Sequence, residues 1–279
     1  MRLLLTMKEL LDDANRNNYA VVAPNAWNED TIRTAIEAAE QENAPLIIAL
    51  YPVMANIEEF ASIACKFASV SKVPVAVHLD HGSRFDEAIR AIRSGYTSIM
   101  VDRSQLPFDD NVREVKEIVK IAHAVGVAVE AELGHVGQGK DYAKTRDCGL
   151  TRVDEAIRFV QETQVDCLAV AVGTSHGIYC GEPKIDFELL KALKEKINVP
   201  LVLHGSSGTG DENIAKCVTE GINKINLFTD LDLSASEKLI EYMTDKRSIR
   251  IVEICNVLYN GYKEKLVHNI RLVRSNNRV

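Results

Sequence analysis

The sequence predicts a single (β/α)8 TIM barrel, an α/β fold, with an extra helix at each end of the chain. Short apolar runs alternate with amphipathic segments from near residue 7 to near residue 266. Continuous apolar strands between periodic helices are typical of a parallel sheet covered by helices. Eight such units in one chain favour closure into a barrel over a doubly wound open sheet.

Each predicted strand is a short run rich in β-branched and other apolar residues. In chain order the eight strands are residues 19–23, 45–50, 75–79, 98–101, 127–132, 168–172, 201–203 and 224–226. The helices are predicted from apolar residues that recur at helical spacing. They cover residues 7–17, 29–41, 57–71, 85–93, 111–124, 154–163, 187–197, 211–220, 234–242 and 249–266. The longest connection, residues 134–152, is rich in glycine, as functional lids often are.

Composition indicates one compact enzyme domain covering residues 1–279. Hydrophobic residues make up 46% of the chain and charged residues 26%, which are ordinary globular values. The net charge of −7 argues against nucleic acid as a partner, because backbone binding needs clustered lysine and arginine. No apolar run is long enough for a membrane span, and the first residues lack the pattern of a signal peptide. The six cysteines form no CxxC pair, so we expect reduced thiols and a cytoplasmic location.

Three histidines predict a metal site. His81, His176 and His204 each follow a run that is predicted to be a barrel strand. Because the strand ends of a barrel share one face, these side chains are expected to converge there. Three neutral imidazoles with an open position match a catalytic zinc site. The alternative for any one of them is a hydrogen-bonded structural histidine, the role expected of the other four.

Carboxylates accompany the histidines. Asp80 directly precedes His81 and is predicted to be an acid/base, although it could instead cap the helix that begins near residue 85. Asp102 and Glu132 end the fourth and fifth predicted strands. They are expected to be hydrogen-bond partners of the histidines, alternative metal ligands or members of ion pairs.

Two further segments predict an anion site. The run HGSSGTGDE, residues 204–212, places small residues before a helix, and KINLFTD, residues 224–230, ends the eighth strand. Barrels often hold phosphate between the loops that follow strands seven and eight. The candidate contacts are Gly205, Ser207, Asn226 and Thr229, and the alternative is a turn that only caps a helix. Together with the metal site, this predicts a metal-dependent lyase acting on a sugar phosphate.

The motifs resemble a known family as a set. LDHG (79–82), VEAELGHVG (129–137), VAVGTSHGIY (170–179), LVLHGSSG (201–208) and KINLFTD are similar to the class II, metal-dependent ketose-bisphosphate aldolases, which include the fructose- and tagatose-bisphosphate aldolases. The resemblance implies a zinc-dependent barrel enzyme, usually a homodimer or homotetramer. It also implies reversible cleavage of a ketose phosphate to dihydroxyacetone phosphate and an aldehyde through a metal-stabilised enediolate.

Residue by residue, the resemblance assigns roles to the candidates above. The zinc ligands, one zinc per subunit, would be His81, His176 and His204, and the acid/base would be Asp80. Asp102 and Glu132 match carboxylates of an alternative metal position, which leaves room for a second divalent or a monovalent cation. The dihydroxyacetone phosphate site would comprise Asn25, Gly177, Gly205, Ser207, Asn226 and Thr229.

Several positions depart from the family pattern. Tyr51 stands where a small hydroxyl residue is common, and Arg103 where another small residue is common. The loop reads GQGKDY, so Lys140 and Asp141 lie near the position of a proton-shuttling glutamate. These changes predict a ketose phosphate other than fructose 1,6-bisphosphate. They also leave two alternatives, namely a weakly active metal-binding paralogue that serves as a partner subunit, and a different metal-dependent lyase or isomerase.

Overall fold

The computed structural model describes residues 3–142, 147, 149–244 and 250–279. Ten strands occur in the described part of the chain: β1 (Val21–Pro24), β2 (Leu46–Leu50), β3 (Val75–Gly82), β4 (Ser98–Val101), β5 (Ala128–Leu133), β6 (Gly137–Gln138), β7 (Cys167–Val170), β8 (Ser175–His176), β9 (Leu201–Leu203) and β10 (Ile222–Leu227). The helices of the same part are α1 (Met7–Arg16), α2 (Glu29–Glu42), α3 (Ile57–Val70), α4 (Phe85–Ser94), α5 (Phe108–Ala124), α6 (Val153–Thr163), α7 (Phe187–Lys196), α8 (Asp211–Thr219), α9 (Thr229–Met243) and α10 (Ile251–Leu272).

Eight parallel strands form the predicted barrel. Their order is β1-β10-β9-β7-β5-β4-β3-β2, and β6 and β8 form a separate parallel pair. The two ends of the sheet meet where Asn25 bridges Ala49 and the Ala26 N–H donates to the Ala49 carbonyl at 2.9 Å. Because all eight strands are parallel, their carboxyl ends lie on one face of the barrel.

Most elements lie within one or two residues of their predicted bounds. Strand β3 ends three residues later, at Gly82, and helix α5 begins three residues earlier, at Phe108. Larger differences occur at α9 and α10 and at the β6–β8 pair. Helix α9 begins at Thr229, whereas the prediction places its start at residue 234. The N-cap residue, Phe228, makes no side-chain hydrogen bond to the helix, so the sequence carries no capping signal at the observed start. Helix α10 continues to Leu272, and residue 249 of the predicted last helix lies outside the described residues. The β6–β8 pair was not predicted, because two-residue strands carry no periodic signal.

Helix α1 closes the amino-terminal end of the barrel. Its apolar side chains Met7, Leu10, Leu11 and Ala14 follow helical spacing and are buried against interior residues of the barrel strands. Thr6 and Glu9 form a capping box that starts the helix. The opposite end, where the strands terminate, is therefore the end that remains open for a site. No helix within the described ranges has the length and apolar character to cross a membrane.

Candidate active site

The three predicted histidines converge at the carboxyl-terminal face, although two of them are placed differently from the prediction. His81 lies within β3 rather than after it, with a φ of +48° where the pairing to β4 becomes irregular. His176 lies in β8, six residues beyond the end of β7, whereas His204 directly follows β9 as predicted. The ring centroids are separated by 4.6 Å, 5.0 Å and 5.7 Å.

Two of the histidines are oriented through their Nδ1 atoms. His81 Nδ1 lies 2.9 Å from Asp102 Oδ2, and His176 Nδ1 lies 3.3 Å from the carbonyl oxygen of Val136. The β6–β8 pair places Val136 beside His176. Because both acceptors need an N–H, the Nε2 atoms of these two rings are left to face the centre. His176 Nε2 is buried and has no hydrogen-bond partner among the described residues.

The third histidine is turned the other way. His204 Nε2 lies 2.8 Å from Glu130 Oε1, which leaves Nδ1 facing the centre, 3.0 Å from His81 Nε2. Zinc–nitrogen bonds of 2.0–2.1 Å in a tetrahedron place two ligand atoms about 3.3 Å apart. The His81–His204 distance is close to this value, and the ligand atoms of all three histidines lie within 4.8 Å of one another, so the group could hold a zinc-type ion. Each opposite nitrogen has the acceptor that metal-binding histidines require.

Burial and neighbouring charges shift the pKa values of His176 and His81 in different directions. Burial lowers the pKa of His176, and the neighbouring His81 and His204 lower it further, to about 4. At His81 the effect of burial is outweighed by the carboxylates of Asp80 and Asp102, which raise its pKa to about 9. The carboxylates around His81 therefore favour positive charge at this part of the centre.

Asp102 and Glu132 lie at the edge of the same centre. His81, Asp102 and Glu132 form a second group whose ligand atoms lie within 4.8 Å of one another. Glu132 is buried, and its Oε1 accepts the Val136 N–H at 3.0 Å, while Oε2 has no hydrogen-bond partner in the described part of the chain. Burial alone would raise the pKa of Asp102, but the hydrogen bond with His81 holds it well below its usual range. Asp102 thus orients His81 in this structure, and both carboxylates have oxygens suited to a cation.

Asp80 is held as a buried carboxylate at the side of the histidines. Its Oδ2 accepts from Asn25 Nδ2 at 2.9 Å, and its Oδ1 accepts from Asn226 Nδ2 at 2.8 Å. Burial would raise the pKa of Asp80, but its neighbours, first among them His81, lower it to about 2. The N-cap of α4 is Arg84, so the alternative of Asp80 as a helix cap is wrong. The two predicted substrate contacts Asn25 and Asn226 hydrogen-bond this carboxylate.

The predicted phosphate contacts line the same cavity as the histidines. Gly177, Gly205, Ser207 and Thr229 all line one cavity of about 660 Å³ that also contains the histidines. Gly205 has a φ of +65°, and a Cβ there would lie 2.5 Å from the Ser175 carbonyl group, so only glycine fits. Ser207 Oγ accepts the Asp230 N–H at 3.1 Å, which leaves its own O–H to donate. The first residues of α9 add the N-terminus of a helix, which favours an anion.

The distal wall of the cavity carries one departure from the family pattern, Tyr51. It is formed by Tyr51, Pro52, Val53, Met54, Ser83, Glu87, Gln105 and Gln138. The Tyr51 ring packs edge-on against His81 with centroids 6.1 Å apart. Lysine and arginine are absent from the described residues that line the cavity.

Three other departures do not reach the cavity in this structure. Lys140 and Asp141 lie in an exposed turn and are not among the lining residues. Residues 143–146 and 148 of the predicted lid lie outside the described residues. Arg103 is buried away from the cavity, where it pairs with Glu114 at 2.7 Å and donates to the carbonyl oxygens of Gly82 and Asp102.

Sequence reasoning missed a polar layer directly below the histidines. Glu130, Lys224 and His78 are wholly buried inside the barrel, with Lys224 Nζ 2.6 Å from Glu130 Oε2 and 3.4 Å from His78 Nε2. Burial would raise the pKa of Glu130, but the Lys224 ammonium holds it well below its usual range. Glu130, Lys224 and His78 each lie two residues before a predicted site residue on the same strand. Because residues two apart in a strand point to the same face, this spacing could have placed them in the barrel interior beside the site.

A family model for class II fructose-bisphosphate aldolase matches residues 5–278. The chain belongs to the class II fructose-bisphosphate aldolase family. Its members are aldehyde-lyases, so this protein is an aldolase-type enzyme whose family acts on sugar phosphates and generally depends on a metal. The histidine and carboxylate groups described above are a possible site for that metal.

Solved structures of class II aldolases superpose over the whole chain. The YdjI aldolase of Escherichia coli K12 is 32% identical, with a TM-score of 0.88 and 99% of each chain covered. A putative fructose-1,6-bisphosphate aldolase of Coccidioides immitis is 27% identical, with a TM-score of 0.86 and coverage of 98% of this chain and 97% of that one. The fructose-bisphosphate aldolase of Campylobacter jejuni, at 21% identity, shares the fold, with a TM-score of 0.85 over 100% of this chain and 97% of its own.

Proposed function

We propose that this enzyme is a zinc-dependent aldolase that reversibly cleaves a ketose 1-phosphate to dihydroxyacetone phosphate and an aldehyde. The observation that carries the proposal is the convergence of three imidazole nitrogens beside the ionised carboxylate of Asp80. One zinc per subunit would be held by His81, His176 and His204. It would supply Lewis-acid stabilisation of the negative charge that carbon–carbon cleavage leaves on the three-carbon unit.

Asp80 is proposed as the acid/base. Two amides hold its carboxylate in place, one on each oxygen, and each oxygen retains a lone pair for a substrate hydroxyl. In cleavage Asp80 would take the hydroxyl proton as the carbon–carbon bond breaks and the aldehyde forms. The bond electrons pass to the three-carbon enediolate, which becomes dihydroxyacetone phosphate after it takes up a proton. In condensation Asp80 would return its proton to the new hydroxyl group.

The phosphate of the three-carbon unit is proposed to lie between the loops that follow β9 and β10. Gly205 allows a close backbone approach at this wall, Ser207 has a hydroxyl hydrogen to donate, and Thr229 starts α9. Backbone N–H groups at a helix start favour a dianion without a cationic side chain. Gly177 completes the wall on the side of His176.

The distal end of the substrate is proposed to lack phosphate. Tyr51, Val53 and Met54 present bulk and apolar surface there, and Glu87 adds a negative charge. A second phosphate is commonly bound by a cationic side chain, and the described distal residues supply no lysine or arginine. The start of α4 lies at this wall, but there Glu87 accepts the Arg84 N–H at 3.0 Å and places its carboxylate where a phosphate would bind. Glutamine and serine side chains at the same wall suit hydroxyl groups. The aldehyde product is therefore proposed to be an unphosphorylated, hydroxylated one.

The decisive experiment is a condensation screen. Dihydroxyacetone phosphate would be incubated with a panel of phosphorylated and unphosphorylated aldehydes, with and without added zinc. We expect zinc-dependent condensation that is best with an unphosphorylated hydroxyaldehyde and is lost in His204→Ala. Efficiency on fructose 1,6-bisphosphate of about 10⁴ M⁻¹s⁻¹ or more, with no better substrate, would contradict the proposed distal end. Full activity and normal zinc content in His204→Ala would contradict the metal site.

A homodimer or homotetramer in the cytoplasm, with residues 1–279 as one domain, is proposed on the family resemblance. Sedimentation velocity of the full chain measures the oligomeric state, and a monomer at micromolar concentration would contradict it.

A further inference from the structure

The side chain directly beneath His204 is a carboxylate that is also bound to a buried ammonium. Glu130 Oε1 lies 2.8 Å from His204 Nε2, and Glu130 Oε2 lies 2.6 Å from Lys224 Nζ. Glu130 and Lys224 are both 0% exposed, and His204 is 1% exposed. The three residues come from β5, β10 and the end of β9, so the barrel itself holds them in register.

This arrangement determines which nitrogen of His204 carries the hydrogen. A carboxylate that accepts from an ammonium at one oxygen is an acceptor at the other oxygen as well. The N–H of the ring must therefore be at Nε2, and Nδ1 keeps its lone pair. That lone pair lies 3.0 Å from His81 Nε2, at the centre on which the three histidines converge.

We propose that Glu130 and Lys224 form a positioning pair that holds His204 as the Nε2–H tautomer, with Nδ1 presented to the metal. Lys224 acts through Glu130, since its ammonium pins the second carboxylate oxygen and keeps the carboxylate from turning away from the ring. The inference rests on the proposed metal site. It gives a role in metal binding to two interior residues, Glu130 and Lys224, that would contact neither the metal nor the substrate.

The competing explanation is that the pair only fills and stabilises the barrel interior. Buried ion pairs are often no better for stability than apolar residues of the same size, so stability alone does not distinguish the two explanations. Zinc affinity and the tautomer of His204 do distinguish them. Outer hydrogen-bond partners of metal-binding histidines typically change metal affinity 10–100-fold when they are replaced.

The first test uses Glu130→Gln and Lys224→Met in the full chain, freed of metal and titrated with zinc against a chromophoric chelator. A glutamine at position 130 offers His204 either an acceptor or a donor, so the Nε2–H form is no longer enforced. We expect each variant to retain the circular dichroism of the wild type and to bind zinc 10–100-fold more weakly. A folded Glu130→Gln protein that binds zinc within threefold of the wild type overturns the proposal.

Cys167→Ala is the matched control. Its Sγ donates a weak hydrogen bond to Glu130 Oε2 at 3.7 Å, so the substitution removes that bond and opens space at the same carboxylate, while the contacts of Glu130 with Lys224 and His204 remain. We expect its unfolding midpoint to fall while its zinc affinity stays within threefold of the wild type. Loss of zinc affinity in Cys167→Ala as large as in Glu130→Gln shows that interior packing controls the site, and overturns the proposal.

The second test needs no variant of the pair. Long-range ¹H–¹⁵N spectra of zinc-loaded wild type with labelled histidine report which ring nitrogen carries the hydrogen, and His204→Gln assigns the His204 signals. We expect Nε2–H at His204 and Nδ1–H at His81 and His176. Nδ1–H at His204 in zinc-bound protein overturns the positioning pair and leaves the metal site standing. Wild type that binds no zinc contradicts the proposed metal site itself.

Discussion

His78 makes the stability of this barrel depend on pH in a way that one substitution can isolate. The ring is wholly buried, and burial together with the charge of Lys224 lowers the pKa of His78 from 6.5 to about 3, although Glu130 and Asp80 oppose this. In the unfolded chain the same ring takes up a proton below pH 6.5. Burial of the neutral His78 ring therefore costs the folded state nothing in protonation above pH 6.5. The free energy of unfolding then decreases progressively as the pH falls from 6.5 towards 3.

The size of the effect follows from the two pKa values. Each pH unit below 6.5 lowers the free energy of unfolding by about 1.4 kcal/mol, so the interval from 6.5 to 5 corresponds to about 2 kcal/mol. His78→Gln keeps a side-chain acceptor for the Lys224 ammonium and removes the titrating group. We expect the decrease in unfolding free energy between pH 7 and pH 5 to be about 2 kcal/mol smaller in the variant than in the wild type.

Urea unfolding at pH 7, 6 and 5, followed by circular dichroism with a chelator present throughout, measures this difference. Ser98→Ala is the control, since Ser98 pairs with His78 across β3 and β4 and its Oγ accepts the Met7 N–H at 2.7 Å. It should lower stability equally at each pH by about 1–3 kcal/mol, the cost of an unsatisfied buried N–H. If His78→Gln loses as much stability between pH 7 and pH 5 as the wild type, burial does not lower the pKa of His78 and the prediction is wrong.

Three substitutions test the site. Asp80→Asn should lower kcat about 10²–10⁴-fold with zinc content unchanged, as metal analysis and steady-state kinetics would show; normal turnover would exclude an acid/base role. Gly205→Ala should raise the KM for phosphorylated substrate and lower the unfolding free energy by about 1–3 kcal/mol, because its Cβ meets the Ser175 carbonyl group; an unchanged KM would separate this loop from phosphate binding. Tyr51→Ser should raise kcat/KM for longer ketose phosphates over shorter ones by roughly tenfold, and an unchanged ratio would place the ring outside the specificity wall.

The barrel and much of the site could be predicted from the sequence, because both depend on local patterns. Eight apolar runs separated by periodic helices indicate a parallel closed sheet, whatever the details of packing. Once the sheet is parallel and closed, residues at strand ends share a face, so His81, His176, His204 and Asp80 are all predicted from the sequence to lie together. The glycine and serine run after β9 was likewise a local signal for a close backbone approach.

Only the tertiary structure decided how those side chains are oriented. His176 reaches the centre because the two-residue strands β6 and β8 pair, and Val136 then accepts its Nδ1–H. Glu130 and Lys224 lie 94 residues apart and meet because β5 and β10 face each other across the barrel interior. Which ring nitrogen of a histidine carries the hydrogen depends on the hydrogen-bond acceptor beside that ring. The acceptor comes from a distant part of the chain. The residue types of the site could be read from the sequence. Their hydrogen-bond partners, and therefore their chemistry, are set only when the barrel closes.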